Sequence, residues 1–427
     1  MDSTLIDLQN PWWQDDKAMD RDPHIRAITG KSYRFKRMEL SSLDLQSSAV
    51  HIIRGPRQVG KTTLIKELIA SELKSGFDPR MILYLSCETL GDFGTLQKVL
   101  VEWINSHTSN DKAMIFLDEV SFVKEWQRAV LSLSNLGFLE RICMVITGSN
   151  ARDLKESSER LPGRRGKGKD LFVYPLGPKE YGQLDCFKGL TFKQRLGIYL
   201  QVGGFPHAIR DYHELGQVSD ETYITYRNWI IGDAARYRLS EEFLKSILYR
   251  ISETLGTRVS WSELIKDTSV KSHETALEYV EHLEDSFLTK VLYCYDPDKK
   301  SSALHKARKI YLIDPLLYFL SRGWKGSASN FFQLGTSLLE KSKFKGHLLE
   351  SATVCLSAQS KSRNFYFWYS TKQKKEVDLV EVFGNELNLY DVTSCQQKPY
   401  KALNQKVEVI DPDNLEKHLS SLVLDRP

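Results

Sequence analysis

Cysteine is scarce in this chain and shows no paired spacing. Six cysteines in 427 residues, Cys87, Cys143, Cys186, Cys294, Cys355 and Cys395, are scattered without a C-x-x-C pair. That excludes a zinc ribbon or a disulfide frame and leaves reduced, mostly buried thiols. Long apolar runs are missing too: no window approaches the roughly 18 uninterrupted apolar residues of a membrane-spanning helix. The opening residues carry Asp2, Asp7, Asp15 and Asp16 without an apolar segment, so the reading expects no secretory leader, a cytoplasmic protein and no membrane partner. An excess of one charge is also lacking. With 59 Lys and Arg against 55 Asp and Glu the net charge is +4, too small to imply nucleic acid by itself, so that argument rests on where charges cluster. What remains is an ordinary globular composition, 41% hydrophobic and 27% charged, with length for about three domains.

Residues 50 to 63 organise what is present. The apolar run Val50 to Ile53 reads as a strand and leads into Gly55-Pro56-Arg57-Gln58-Val59-Gly60-Lys61-Thr62-Thr63. The spacing is G-x-x-x-x-G-K-T, a loop whose backbone N–H groups wrap phosphates. Lys61 would reach the β and γ phosphates of ATP, Thr62 would offer its hydroxyl to Mg²⁺, and the amphipathic run from Thr63 to Ile69 supplies a helix with its N-terminus toward the anion. Further apolar runs, Met81–Leu85, Ala113–Leu117, Ile142–Ile146 and Leu171–Tyr174, alternate with helical stretches. That alternation predicts a parallel sheet covered on both faces.

The third run ends in Asp118-Glu119. Asp118 is placed to hold the magnesium hydration shell and Glu119 to polarise an attacking water. The fourth ends in Thr147-Gly148-Ser149-Asn150, where open α/β sheets bind ligand, so Ser149 or Asn150 would meet the γ phosphate or the water. Residues 160 to 169 form a basic glycine-rich loop with three open readings. It is a plain surface loop, a contact for a nucleic-acid backbone, or the carrier of an arginine finger toward a neighbouring subunit, for which Arg164 is favoured over Arg165. Two adjacent tryptophans in Asn10-Pro11-Trp12-Trp13 are too apolar for water, and read as a strap on the core in preference to a partner hook.

With Arg54 to Thr63, Phe116 to Glu119, Thr147 to Ser149, Arg160 to Arg164 and Gly203-Gly204-Phe205-Pro206, that tryptophan motif resembles the prokaryotic AAA-type ATPases of the archaeal ATPase group. The resemblance implies an α/β fold: an AAA-type P-loop ATPase core with a parallel sheet, a helical lid, a winged helix and a C-terminal α/β nuclease-like domain. The expected bounds are 1–48 for an N-terminal arm, 49–180 for the core, 181–235 for the lid, 236–320 for the winged helix and 321–427 for a region similar to PD-(D/E)-x-K nucleases. It also implies that Pro206 packs on the adenine, although a plain helix-breaking turn explains Gly and Pro there equally.

The accessory regions carry weaker chemistry. Helical spacing places helices at Glu241–Leu255, Ser260–Ile265 and Ser272–Leu283, with wing strands at Phe287–Tyr295 and Lys309–Ile313. The third helix would read DNA, yet it bears Glu274, Glu278, Glu281, Glu284 and Asp285, which phosphates repel. The basic wing tip, Lys299, Lys300, Lys306, Arg308 and Lys309, is a soluble loop or a DNA backbone contact. Glu350, Asp378 and Asp391 match the acidic positions of the nuclease-like fold and would form a degenerate metal site, but Thr393 stands where its lysine is expected, which argues against cleavage. The expected function is a Mg²⁺-dependent ATPase whose ATP binding and hydrolysis drive a conformational or assembly switch, with DNA through basic loops and a second copy as further partners, in DNA transactions or mobile-element and defence settings. The alternatives are a nucleotide-gated protein- or DNA-binding module with negligible hydrolysis, and an ATP-regulated metal-dependent nuclease.

Overall fold

The computed structural model describes residues 3–15, 17–37, 43–107, 112–150, 163–326, 330–360, 363–394 and 398–423. They divide into two compact units, Met1–Tyr174 and Pro175–Pro427.

Unit 1 is built on a five-stranded sheet of β1 (Ala49–Arg54), β2 (Ile82–Ser86), β3 (Ala113–Asp118), β4 (Ile142–Gly148) and β5 (Asp170–Phe172), in the order β2-β3-β4-β1-β5. Every pairing is parallel. The period of two splits each strand between two cores. Ile115 and Leu117 of β3 join α2 (Phe93–His107) and α3 (Trp126–Asn135) on one face, while Met114 and Phe116 join α1 (Lys61–Lys74) on the other. Because both faces are covered, β1, β3 and β4 are buried at every position, and each Ile or Leu so buried contributes about 1.5–3 kcal/mol. In register, Arg54 pairs with Gly148 and Ser86 with Asp118, so the strands end together on one rim.

The arm closes the exposed edge at β2. The Asn10 side-chain amide accepts from Tyr84 N (2.6 Å) and donates to Tyr84 O (2.9 Å), as a neighbouring strand would. Gln9 accepts from Ser86 N, and the indole N–H groups of Trp12 and Trp13 both donate to Ile82 O. Side chains thereby satisfy edge groups that would otherwise pair with another chain.

Unit 2 begins with helices α4 (Phe192–Val202), α5 (Pro206–Leu215) and α6 (Asp220–Arg236). Gly203 and Gly204 are dictated by close approach: a Cβ on either would lie 1.9 Å from an oxygen, Asp314 Oδ1 and Leu176 O respectively. Next come α7 (Glu241–Glu253), α8 (Trp261–Ile265), α9 (His273–Asp285) and the hairpin β6 (Thr289–Asp296) and β7 (Ser301–Leu312). An isolated antiparallel bridge between Val259 and Arg308 ties the segment before α8 to β7. Helices α10 (Pro315–Gly326), α11 (Phe331–Leu339) and α12 (Ser342–Ser357) follow, then β8 (Asn364–Ser370), β9 (Lys375–Phe383), β10 (Glu386–Val392), β11 (Tyr400–Ala402), β12 (Gln405–Ile410) and α13 (Leu415–Val423). One seven-stranded sheet, β11-β12-β10-β9-β8-β6-β7, runs through this unit and crosses the boundary expected at 320.

The basic wing expected from sequence is corrected here. Strand β7 starts at Ser301, well before Lys309, and only Lys299 and Lys300 lie at the exposed turn. Arg308 is buried under Trp261, with its guanidinium 4.0 Å from the ring centroid, and Lys309 is fully buried. Neither side chain is available to a DNA backbone.

Candidate functional site

The strand rim of unit 1 assembles the residues singled out by their spacing. Gly60 caps α1 with φ +96°, a conformation only glycine adopts without strain, and Gln58 also has positive φ. Gly55 is fixed by packing, since a Cβ there would meet Val173 O at 2.1 Å. Lys61 is buried and its Nζ donates to Gly55 O (3.0 Å) and Pro56 O (2.9 Å). The same ammonium lies 3.1 Å from Glu119 Oε1.

Asp118, at the end of β3, is held by three hydroxyl donors. Thr62 Oγ1 reaches Oδ2 at 2.7 Å, Tyr84 Oη reaches Oδ2 at 3.1 Å and Thr147 Oγ1 reaches Oδ1 at 2.5 Å. Thr147 also accepts from Glu119 N at 2.9 Å, so one side chain orients both acids. Glu119 sits in the left-handed region (φ 50°, ψ 47°), a strained state for a non-glycine residue that costs about 1–3 kcal/mol and clusters at functional sites. Burial pushes the Glu119 carboxyl up, but the charge and hydrogen bond of Lys61, with Arg57 and Ser149, outweigh it and hold the group below the usual range. Its second oxygen, Oε2, is buried without a hydrogen-bond partner.

Ser149 is therefore brought to Glu119, and Lys61, Thr62, Asp118 and Glu119 share one site. Arg57 stacks on Phe122 with its charge felt by Glu119, Val59 is buried in the core, and Thr63 continues α1. Tyr84 and Thr147 were missed as site residues. Tyr84 is hidden inside an apolar strand, whereas Thr147 could have been found as the last side chain of β4, beside the acid-bearing strand. Arg160, Leu161 and Pro162 lie outside the described residues. Arg164 is exposed, while Arg165 is pinned by hydrogen bonds to Asp170 (2.8 Å) and Val50 O. Pro206 belongs to unit 2 and is the first residue of α5, the position its fixed φ suits.

Unit 2 holds the second cluster. Glu350 and Asp378 come together as the acidic pattern requires, and Asp391 is close enough to Asp378 to help, against burial, to hold its carboxyl below the usual range, after Lys309 and the Val392 N–H. The degenerate metal site expected there is corrected: among the described residues no group of His, Cys, Asp and Glu is arranged to hold a metal ion. The physical reason is Lys309, whose Nζ lies between Glu350 Oε1 (2.9 Å) and Asp378 Oδ1 (2.8 Å). Burial alone would lower the Lys309 ammonium, yet Tyr311, Asp378, Glu350 and Glu376 hold it well above its usual range. Glu350 is pushed up to about 7, first by burial and then by the Asp378 charge.

Comparison with known proteins agrees with the rim chemistry. Residues 47–182 match the family described as AAA domain. That likeness is to an AAA domain and covers the whole strand rim of unit 1. Residues 193–326 match a domain of unknown function. An uncharacterized protein of Haemophilus influenzae is 27% identical over 296 residues, covering 65% of this chain and 70% of that protein. Among solved structures, the Aeropyrum pernix ORC2 protein in its ADPNP–ADP complexes overlaps 76% of this chain and 99% of its own at 15% identity and a TM-score of 0.38. The Thermotoga maritima RuvB protein overlaps 58% and 82% at 20% identity and a TM-score of 0.31. Overlaps at these scores carry no functional argument. Among the described residues no helix is long and apolar enough to cross a membrane.

Proposed function

We propose that this chain is a magnesium-dependent ATP hydrolase of the AAA type, in which ATP binding and hydrolysis drive a conformational or assembly switch. One observation carries the reading: a buried ammonium, a hydroxyl and two acids of different environment meet at one strand rim, Lys61 against Glu119 and Thr62 against Asp118. The donor set fits a nucleoside triphosphate with its cation. Lys61 supplies positive charge behind a glycine cradle, the Thr62 hydroxyl and Asp118 carboxylate are hard oxygen ligands, and Glu119 retains a buried oxygen with no donor. When bound, the magnesium ion would neutralise charge on the phosphate oxygens.

The chain's own residues divide the remaining work. Lys61 binds the phosphates, Thr62 and Asp118 hold the cation, and Thr147 and Tyr84 orient Asp118. Glu119, kept as a carboxylate, accepts a proton from water at Oε2. Ser149 steadies Glu119. Exposed Arg164 is the finger offered to a second copy, and Pro206 is the adenine contact implied by the resemblance. In unit 2, α7, α8, α9, the Val259 bridge and the β6–β7 hairpin follow the order of a winged helix, and β8 to β12 with α12 that of a nuclease-like fold. Because α9 exposes Glu274, Glu278 and Glu281, we read the winged helix as a protein-docking element in preference to a groove reader.

Steady-state phosphate release tests the proposal. Turnover by the natural chain with Mg²⁺ and ATP should fall about 10²–10³-fold in Glu119→Gln while nucleotide binding survives. Equal rates in the two proteins would overturn it.

A further inference from the structure

The acidic cluster of unit 2 encloses a cation that belongs to the chain. Lys309 Nζ lies 2.9 Å from Glu350 Oε1 and 2.8 Å from both Asp378 Oδ1 and Glu376 Oε1, and the side chain is 1% exposed. We propose that Lys309 is the resident cation of this centre, holding the place a divalent metal would take, so that the natural chain binds no metal there and cleaves no phosphodiester bond. The inference stands whether or not unit 1 hydrolyses ATP.

Oxygen-by-oxygen accounting supports it. Glu350 Oε1 accepts from Tyr311 Oη (2.7 Å) as well as from Lys309. Asp378 Oδ1 faces Lys309 and its Oδ2 accepts from Val392 N at 3.0 Å. Glu376 Oε1 faces Lys309 and its Oε2 pairs with Arg258 Nε at 2.9 Å, where Arg258 also lies over Tyr369. Five of the six oxygens on these three acids therefore already meet a donor. Magnesium or manganese needs several of them at about 2.1 Å, and an ion seated there would lie against an ammonium of like charge in a low-dielectric interior.

The ammonium cannot stand aside cheaply. Removing one partner from a buried ion network leaves uncompensated charge, and Lys309 sits in the stretch of β7 that pairs in unbroken register with β6, from Tyr293 opposite Arg308 to Thr289 opposite Leu312.

Thermal melting of the full chain, with and without MnCl₂ and without nucleotide, tests this. Lys309→Ala should lower the transition of unit 2 by about 10 °C, because the carboxylates lose their counter-charge. Mn²⁺ should restore much of that loss in Lys309→Ala and leave the natural chain unmoved. A Lys309→Ala protein that melts lower but gains nothing from Mn²⁺ overturns the idea that the ammonium occupies a metal's place. Should that variant fail to fold, Asp378→Asn decides. Nucleotide-free Mn²⁺ binding, read by the loss of free-ion paramagnetic resonance signal, should be absent in the natural chain and unchanged by Asp378→Asn. Mn²⁺ binding that Asp378→Asn abolishes, or Mn²⁺-dependent plasmid nicking that Lys309→Ala abolishes, would contradict the proposal.

Discussion

Lys61 and Lys309 are both buried ammonium groups beside carboxylates, yet they build opposite kinds of centre. Lys61 meets one acid and two loop carbonyls, and Glu119 keeps a buried oxygen with no donor. Lys309 meets three acids; Tyr311 shares the Glu350 oxygen it meets, and two of the three remaining oxygens are engaged by Val392 and Arg258. Polar capacity left unused in a buried place costs free energy, about 1–3 kcal/mol per group, and is retained where a reacting partner can use it. A network with five of its six carboxylate oxygens engaged has little left to offer a substrate. Counting partners atom by atom thus separates a site for chemistry from a structural knot, where residue types alone would make both look catalytic.

The sharpest way to break this comparison is to remove the unit 1 ammonium. Lys61→Ala should weaken ATP binding by more than about 100-fold in equilibrium titration, since a buried charge-assisted contact to phosphate is lost. Unchanged affinity would make Lys61 as structural as Lys309. A smaller effect is expected at Thr147, which bonds Asp118 and Glu119 together. Thr147→Val should slow phosphate release about tenfold and destabilise unit 1 by about 1–3 kcal/mol in chemical denaturation, with ATP affinity little altered. A rate equal to that of the natural chain would remove Thr147 from the site.

A third test concerns a buried acid of unit 2 outside both centres. Asp314 accepts from Gly204 N (2.7 Å) and Leu316 N (2.9 Å), but burial dominates and pushes it up to about 7. Its folded value lies above the unfolded one, so its contribution is full below about pH 4 and is lost as pH rises through about 7. The transition temperature of the natural chain should therefore fall relative to that of Asp314→Asn between pH 5 and 8. Parallel pH profiles would show that the two backbone donors, and not burial, set this group.

Much of unit 1 was legible in the sequence because its signals are local. The G-x-x-x-x-G-K-T spacing, strands buried on both faces and the paired acids at a strand end each fit within a few residues, and the observed strands begin and end within about two residues of the expected ones. Thr147 and Tyr84 were harder, because their roles come from parallel register between strands far apart in sequence. Lys309 was illegible for a stronger reason. Its neighbours Lys306 and Arg308 suggested a charged loop, whereas a strand running from Ser301, bulged opposite Tyr293 and Cys294, turns it into the protein. Its three carboxylates come from α12 and β9, so only the tertiary fold reveals the pairing. The same holds for Gly203 and Gly204, which looked like a turn and are set by contact with Asp314 and Leu176.

The most direct test of one open and one closed centre is a count of Mn²⁺ ions bound by the full chain in the presence of a non-hydrolysable ATP analogue. One ion per chain is expected, lost in Asp118→Asn, retained in Asp378→Asn and absent without nucleotide. Two ions per chain, or a single ion that depends on Asp378 and not on Asp118, would contradict it.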